Sequence, residues 1–399
     1  VAGDVNGDGY DDLIIGADSA DPNGVNSGAS YVVFGKASGF ISDLSLSALD
    51  GTNGFQINGE SAGDFSGGSV SVAGDVNGDG YDDLIIGAEQ ADPNGSNSGA
   101  SYVIFGKASG FSANLNLSSL NGINGFQING EAYRDSSGGS VSSAGDINGD
   151  GLDDLIIGAD GADPSSSESG ASYVVFGKVS GFAANLNLSA LNGTNGFQIS
   201  GGKVLDNLGA SVSGAGDING DGIDDLIISA FAKSYVLFGK ISGFPANLDL
   251  GNDEDGTSIL TGVNGFRIDA EGSLDGYFSV SRTGDINGDG IDDLLIGVPE
   301  IDVNGRNSGV VYVMFGKASG FAASVNLSML DGAEGFQING EAPGDRFGYA
   351  VSDAGDINGD GYDDLIIGTL GADWNGNGSG ASYVIFGQDF SEFNNQMPV

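Results

Sequence analysis

The sequence predicts an all-β protein, a β-propeller built from four-stranded blades. Three observations lead there: a nine-residue pattern that returns at near-constant spacing, four short apolar or alternating segments within each period, and no window of sustained helical periodicity. The pattern begins at Asp4, Asp75, Asp146, Asp217, Asp285 and Asp356, so successive starts are 71, 71, 71, 68 and 71 residues apart. A solenoid coil needs only about 20 to 30 residues per rung, whereas four strands in a much longer period suit a propeller blade. The blades are expected at 1–66, 67–137, 138–208, 209–276, 277–346 and 347–399, in a single domain over 1–399. They would close as a six-bladed ring or form most of a seven-bladed one.

The second period shows its elements most fully. Gly68 to Gly74 alternates small or polar with apolar residues and reads as a first strand. Leu84-Ile85-Ile86-Gly87-Ala88 follows as a second strand, continuously apolar and so covered on both faces. A turn-rich insert, Ala91 to Gly99, leads to a third strand, Ala100 to Gly106, rich in β-branched and aromatic residues. A longer connection from Ser109 to Asn124 carries Leu115, Leu117 and Leu120, and Phe126-Gln127-Ile128 makes a short fourth strand. A lone blade has no core, so such units must stack. The fourth period departs from the rule: Asp225 to Tyr235 spans 10 residues where Asp83 to Tyr102 spans 19, so its insert is missing.

The nine-residue pattern carries the chemistry. Counting the first Asp as position 1, oxygen-bearing side chains fall at positions 1, 3, 5 and 9, with Gly at 4 and 6. Alternate oxygens on a tightly curled backbone converge, and the glycines permit the positive φ that the curl needs. Hard oxygens without imidazole or thiolate suit calcium, and a flexible loop favours it over magnesium. The expected ligands are Asp4, Asn6, Asp8 and Asp12, with the Tyr10 carbonyl as backbone donor. The equivalents are Asp75, Asn77, Asp79, Tyr81 and Asp83; Asp146, Asn148, Asp150, Leu152 and Asp154; Asp217, Asn219, Asp221, Ile223 and Asp225. Asp285, Asn287, Asp289, Ile291 and Asp293, then Asp356, Asn358, Asp360, Tyr362 and Asp364, complete six sets, about one calcium per repeat.

The competing EF-hand loop needs a bidentate Glu at position 12. That position holds Ile15, Ile86, Ile157, Ile228, Ile296 and Ile367 inside an apolar β-type run, which excludes helix-flanked calcium loops. An acidic Asx-Gly turn explains one copy as well as a metal does, but not six in register.

Composition narrows the function. Lys+Arg total 12 against 55 Asp+Glu, a formal charge of -43, which argues against nucleic acid and against attraction to an anionic membrane. Two carboxylates about 4 Å apart repel by roughly 4 kcal/mol at an effective dielectric of 20, so a structural role for calcium follows. Without Cys or His, disulfides, zinc ligation, Cys nucleophiles and His-based acid–base chemistry are absent. No apolar run approaches the length of a membrane span.

The order strand, DxNxDGxxD, apolar strand, Gly-Ala and Tyr-Val-x-Phe-Gly resembles the FG-GAP repeat of the integrin α-subunit propeller and its bacterial relatives. The name-giving residues survive in Phe347-Gly348 and Gly297-Val298-Pro299, and elsewhere as Gly87-Ala88 or Gly158-Ala159 without the proline. The resemblance implies a seven-bladed propeller with calcium loops on one face, found outside cells in adhesion or as an accessory domain of secreted enzymes. All six visible motifs are calcium-competent, whereas integrin α-subunits carry them on a subset of blades. The near-identity of the copies is closer to the bacterial proteins.

Other candidates weigh less. Asp43-Leu44-Ser45-Leu46-Ser47 spells the DxSxS of metal-dependent adhesion domains, but the next period reads Asn114-Leu115-Asn116-Leu117-Ser118, an ordinary polar alternation. Glycosylation sequons at Asn116, Asn187 and Asn326 arise once per repeat from that alternation. The tyrosines at 31, 102, 173, 235, 312 and 383 read as strand core. Trp374 stands where other repeats have Pro22 or Pro93 and is a candidate ligand contact. The unrepeated acids are Asp253, Glu254 and Asp255, with Asp269, Glu271 and Glu300.

The expected function is a calcium-stabilised extracellular or cell-surface binding and adhesion module that recognises protein or glycan through its loops, and is not itself an enzyme. The alternative is an accessory propeller of a secreted hydrolase or lyase. A catalytic carboxylate pair should be unique, and nearly every acid here has a copy one blade away.

Overall fold

The computed structural model describes residues 2–40, 42–108, 110–251, 259–270, 276–376 and 378–388. The fold is an all-β propeller of six blades, and the helical content among the described residues is confined to short 3-10 turns such as Leu117–Ser119. By contacts the chain forms two compact units. One comprises Val1–Asp146, Asp150–Gly209 and Ser242–Asp255; the other comprises Ile147–Gly149, Ala210–Ile241 and Gly256–Val399.

In the first unit, blade 2 has antiparallel strands Val70–Gly74, Asp83–Ala88, Ala100–Ile104 and Gly125–Asn129, close to the segments expected. Blade 3 repeats them at Ser140–Gly145, Asp154–Ala159, Ala171–Val175 and Gly196–Ser200. Blade 1 holds Leu13–Ala17, Ala29–Val33 and Gly54–Asn58; of its first strand only a bridge between Gly3 and Asp12 is present. In the second unit, blade 4 is Val212–Gly216, Asp225–Ala230, Lys233–Leu237 and Gly265–Asp269, and blade 5 is Ser279–Gly284, Asp293–Val298, Val310–Met314 and Gly335–Asn339. Blade 6 holds Phe347–Gly355, Asp364–Thr369 and Ala381–Ile385.

A further strand escapes the sequence reading. Asn114–Asn116 lies in the connection of the second repeat, yet it pairs parallel with Gly54–Asn58 of blade 1. Asn185–Asn187, Asn247–Asp249 and Ser324–Asn326 do the same for blades 2, 3 and 4. Each connection thus covers the outer edge of the preceding blade, which removes an edge open to pairing with another chain. Aromatic stacking seals the exchange: Phe111 lies 4.6 Å from Phe55 and Phe182 lies 4.1 Å from Phe126, both near-parallel. Lys107 and Lys178 sit over the outer rings at 4.8 and 4.5 Å.

The cores lie between consecutive blades of each unit. Val32, Phe34, Phe55 and Ile57 of blade 1 pack on Leu84, Ile86, Tyr102 and Ile104 of blade 2. Leu295, Val311 and Val313 of blade 5 likewise meet Phe347, Leu365 and Ile367 of blade 6. The Gly in the second strand follows from this packing, because a Cβ at Gly87 would strike the Gly138 carbonyl of the next blade. The blade 2 second strand is buried at every residue, as its composition predicts. Blade 1 differs: Leu13 is 50% and Ile15 40% exposed. Tyr102, Tyr173, Tyr235 and Tyr312 are buried strand residues, while Tyr31 and Tyr383 in the outer blades are half-buried.

Candidate metal centres

In blades 2 to 6 the acidic motif is a turn that begins just after a β-bulge at the end of the first strand. In blade 2 the register shifts between Val72 and Gly74, so Gly74, at φ +70°, turns the chain out of the sheet. Gly78 and Gly80 follow at φ +75° and +88°, the left-handed values for which the two glycines were expected. The loop then feeds the apolar second strand, so Ile86 at position 12 is core rather than ligand.

Inside the loop the carboxylates gather backbone N–H groups. The position 1 carboxylate accepts from the N–H groups at positions 5 and 6: Asp79 (3.0 Å) and Gly80 (2.8 Å) donate to Asp75, Asp8 and Gly9 to Asp4, Asp289 and Gly290 to Asp285. Asp146, Asp217 and Asp356 hold the same pairs from Asp150 and Gly151, Asp221 and Gly222, and Asp360 and Gly361. The position 5 carboxylate accepts from the N–H at position 7, at 3.0 to 3.1 Å: Tyr10 to Asp8, Tyr81 to Asp79, Leu152 to Asp150, Ile223 to Asp221, Ile291 to Asp289 and Tyr362 to Asp360. This ladder holds every loop in one shape.

Position 9 has a second task that sequence did not foretell. Asp83 is fully buried and accepts from Val76 N–H (3.2 Å) and from Gly106 N–H (2.9 Å) at the end of the third strand. Asp12, Asp154, Asp225, Asp293 and Asp364 hold Gly35, Gly177, Gly239, Gly316 and Gly387 in the same way. Burial first, then the charges of Asp79 and Asp75, push Asp83 up to about 8. Asp225 and Asp293 rise to about 8 for the same reasons, and Asp12 to about 6.

Among the described residues no three acidic side chains stand grouped as a ready-made metal site; the aspartates are turned onto backbone donors instead. The donor set nonetheless fits a hard cation. The Asn6 Oδ1 is buried with no hydrogen-bond partner, and an orphaned carbonyl oxygen in a loop that carries Asp4, Asp8 and Asp12 is what a cation satisfies. A carboxylate oxygen has lone pairs to spare after one N–H bond. In blade 2 the Asn77 amide points its NH2 at Asp83, at 3.3 and 3.4 Å, which leaves its oxygen the other way.

Position 8 is also Asp, outside the expected ligand set. Its carboxylate staples blades together: Asp82 accepts from Asp4 N–H (2.8 Å), Asp153 from Asp75, Asp292 from Asp217 and Asp363 from Asp285. The Gly before the loop belongs to the staple at these four junctions, since a Cβ at Gly3, Gly74, Gly216 or Gly284 would strike the Asp82, Asp153, Asp292 or Asp363 carboxylate. The signal was present in the sequence: Asp stands at position 8 in all six copies, off the alternation that supplies ligands. The Val5 carbonyl accepts from Lys107 N–H of the next blade, the Val76 carbonyl from Lys178, the Ile218 carbonyl from Lys317 and the Ile286 carbonyl from Gln388, so these four loops are wedged at blade junctions.

The remaining candidates separate cleanly. Asp43, Ser45 and Ser47 are exposed, with the two hydroxyls 2.8 Å apart. Asn116 and Asn187 accept from Asn58 and Asn129 across the exchanged strand at 3.0 Å, and Asn326 accepts from Ser328 N–H. Trp374 is 67% exposed in its turn. Asp269 pairs with Arg267 at 2.9 Å and accepts from Ser324 at 2.6 Å, and Glu300 is half-buried. Asp253, Glu254, Asp255 and Glu271 lie outside the described residues. No helix among the described residues is long and apolar enough to cross a membrane.

Comparison with known proteins agrees with the strand order. The family model described as "FG-GAP repeat" matches residues 1–33, 66–104, 137–175, 279–314 and 347–385. These segments fall on blades 1, 2, 3, 5 and 6; blade 4 is the one without the turn-rich insert. Among curated proteins, Integrin alpha-V of Gallus gallus is 30% identical over 245 residues, 61% of this chain and 21% of the relative. Integrin alpha-PS2 of Drosophila melanogaster is 32% identical over 192 residues, 46% of this chain and 13% of the relative. Integrin alpha pat-2 of Caenorhabditis briggsae is 28% identical over 236 residues, 58% of this chain and 18% of the relative. The chain therefore spans about a fifth or less of the length of these relatives.

Proposed function

From the premise that this chain carries FG-GAP repeats on a propeller similar to those of integrin alpha subunits, we infer that it is a calcium-stabilised binding module of the adhesion type. It works outside the cell or at its surface and recognises protein or glycan through the loops that the blades hold rigid. The observation that carries the calcium is the buried, unpartnered Asn6 Oδ1 in a loop whose donor types recur six times. The ligands are those at positions 1, 3, 5 and 9, with the position 7 carbonyl. A bound cation would neutralise carboxylates that burial and mutual repulsion otherwise drive toward protonation.

Because the loops of blades 1, 2, 4 and 5 are wedged at blade junctions, calcium there stiffens the contact between blades as well as the loop itself. An extracellular setting supplies cation at the concentrations that weak modules require. Acids without a repeat partner are few, which favours binding over catalysis.

Elemental analysis of protein dialysed into calcium should find close to six ions per chain, and a chelator should lower the melting temperature by roughly 10 °C or more, which magnesium does not restore. A melt unchanged by chelator would remove the structural role. Glycan and protein arrays should then yield a saturable ligand without turnover; cleavage of an arrayed polysaccharide would instead point to an enzyme.

A further inference from the structure

Blade 4 departs from the repeat at two positions that touch. Only Phe231 and Ala232 join its second strand to its third, where blade 2 has the insert from Glu89 to Gly99. Phe231 takes the place of Glu89 in blade 2 and Asp160 in blade 3, and Tyr277, just before the first strand of blade 5, takes that of Gly67 and Gly138. The insert of blade 2 closes over the next blade through a parallel bridge from Gly99 to Ser137. In blade 4 an antiparallel bridge between Phe231 and Tyr277 stands instead, supported by Ala232 N–H donating to the Gly276 carbonyl at 3.0 Å. The two rings lie 5.7 Å apart at 80°, an edge-to-face corner, and remain 37 and 43% exposed. Glu300 borders the corner, since one of its carboxylate oxygens lies 2.9 Å from where a Cβ on Gly276 would stand. All of these residues belong to the second compact unit.

We propose that this corner binds a sugar ring that carries a free amino group, such as a glucosamine unit of a polysaccharide. The proposal rests on the reading of the chain as a binding module and names a ligand class and a place for it. Single exposed apolar side chains are ordinary, but two aromatic rings in contact, at positions that are acid and glycine elsewhere, make a platform. The C–H face of a pyranose stacks on such a ring, and an ammonium within about 6 Å of a ring centroid is drawn to the π face. The Glu300 carboxylate adds an acceptor for the same ammonium. A chain of formal charge -43 concentrates cations and repels sulfated or uronic sugars. A protein partner fits less well: two aromatic side chains supply about 150–250 Å² each even when fully covered, against about 800 Å² per partner in a stable interface.

Calorimetric titration of the full chain in calcium and mildly acidic buffer tests this, with a β-1,4-linked glucosamine oligomer, its N-acetylated counterpart and a uronate oligomer as probes. The glucosamine oligomer should bind saturably, the N-acetylated form about tenfold more weakly, and the uronate not at all. Phe231→Ala and Tyr277→Ala should each weaken glucosamine binding about tenfold, with melting temperatures near wild type, while Phe231→Tyr, which keeps the ring, should bind as wild type does. Glu300→Gln should weaken the amine about fivefold and leave the N-acetylated form unchanged. This split, which needs no truncated ring, keeps the test open if an alanine variant fails to fold. Glucosamine binding that is equal in wild type and both alanine variants overturns this site and leaves the binding-module reading standing. Equal affinity for the amine and its N-acetylated form, displacement of the sugar by an oligolysine peptide at equal concentration, or no saturable glucosamine binding by the wild type also overturns the proposal; a saturable ligand on the arrays would still uphold the module.

Discussion

Replacing Asp83 with Asn separates what the carboxylate does for the fold from what it does for a cation. In the metal-free protein burial pushes Asp83 up to about 8 from the ordinary carboxylate value of 3.8. A raised folded value means that the group's contribution is fully present below 3.8 and is lost as pH rises through about 8. At about 1.4 kcal/mol per pH unit, keeping this carboxyl in the fold at pH 7 costs about 4 kcal/mol. Asn removes that cost. Its oxygen can still accept from Gly106 or Val76, but its NH2 faces the other N–H, which costs about 2 kcal/mol. The net is a gain of about 2 kcal/mol, or roughly 4 to 8 °C in melting temperature for a unit of this size. Calorimetry in chelator should show this gain at pH 8 and its disappearance near pH 4, where both side chains are neutral. In calcium the sign should reverse, because the variant lacks a charged ligand. A chelated Asp83→Asn protein that melts below wild type at pH 8, or an unchanged difference between pH 4 and 8, would refute the assignment.

Two further outcomes test the junctions. Gly74→Ala should cost about 3 kcal/mol in urea denaturation, from left-handed backbone strain and from displacing Asp153 off the Asp75 N–H. Gly80→Ala, at φ +88° with nothing near its Cβ, should cost only about 1 kcal/mol, and equal effects would refute the staple. Burial raises Asp64 and Asp135, which lie outside the loops, to about 6, so the stability they lend is present below 3.8 and lost as pH rises through 6. The Asp64→Asn, Asp135→Asn double variant should therefore show a flatter fall in melting temperature between pH 4 and 7 than wild type, and an identical slope would count against that burial.

The period, the all-β class, the four strands of a blade and the turn at every motif were legible in the sequence. Each of these rests on local chemistry: alternation in Val70–Gly74, β-branched runs in Ala100–Ile104, and glycines that allow positive φ at 78 and 80. The donor types of the loops were legible for the same reason, since they are nine consecutive residues. Tertiary structure alone decided the rest. Asn114–Asn116 has too few residues to signal a strand, and its partner is Gly54–Asn58, some 60 positions away. Asp82 is read as one more loop acid until the next blade over brings it within 2.8 Å of Asp4 N–H. Leu13 and Ile15 carry the same letters as Leu84 and Ile86, yet stand exposed, because burial depends on which neighbour is there to cover a face and not on the residues that form it.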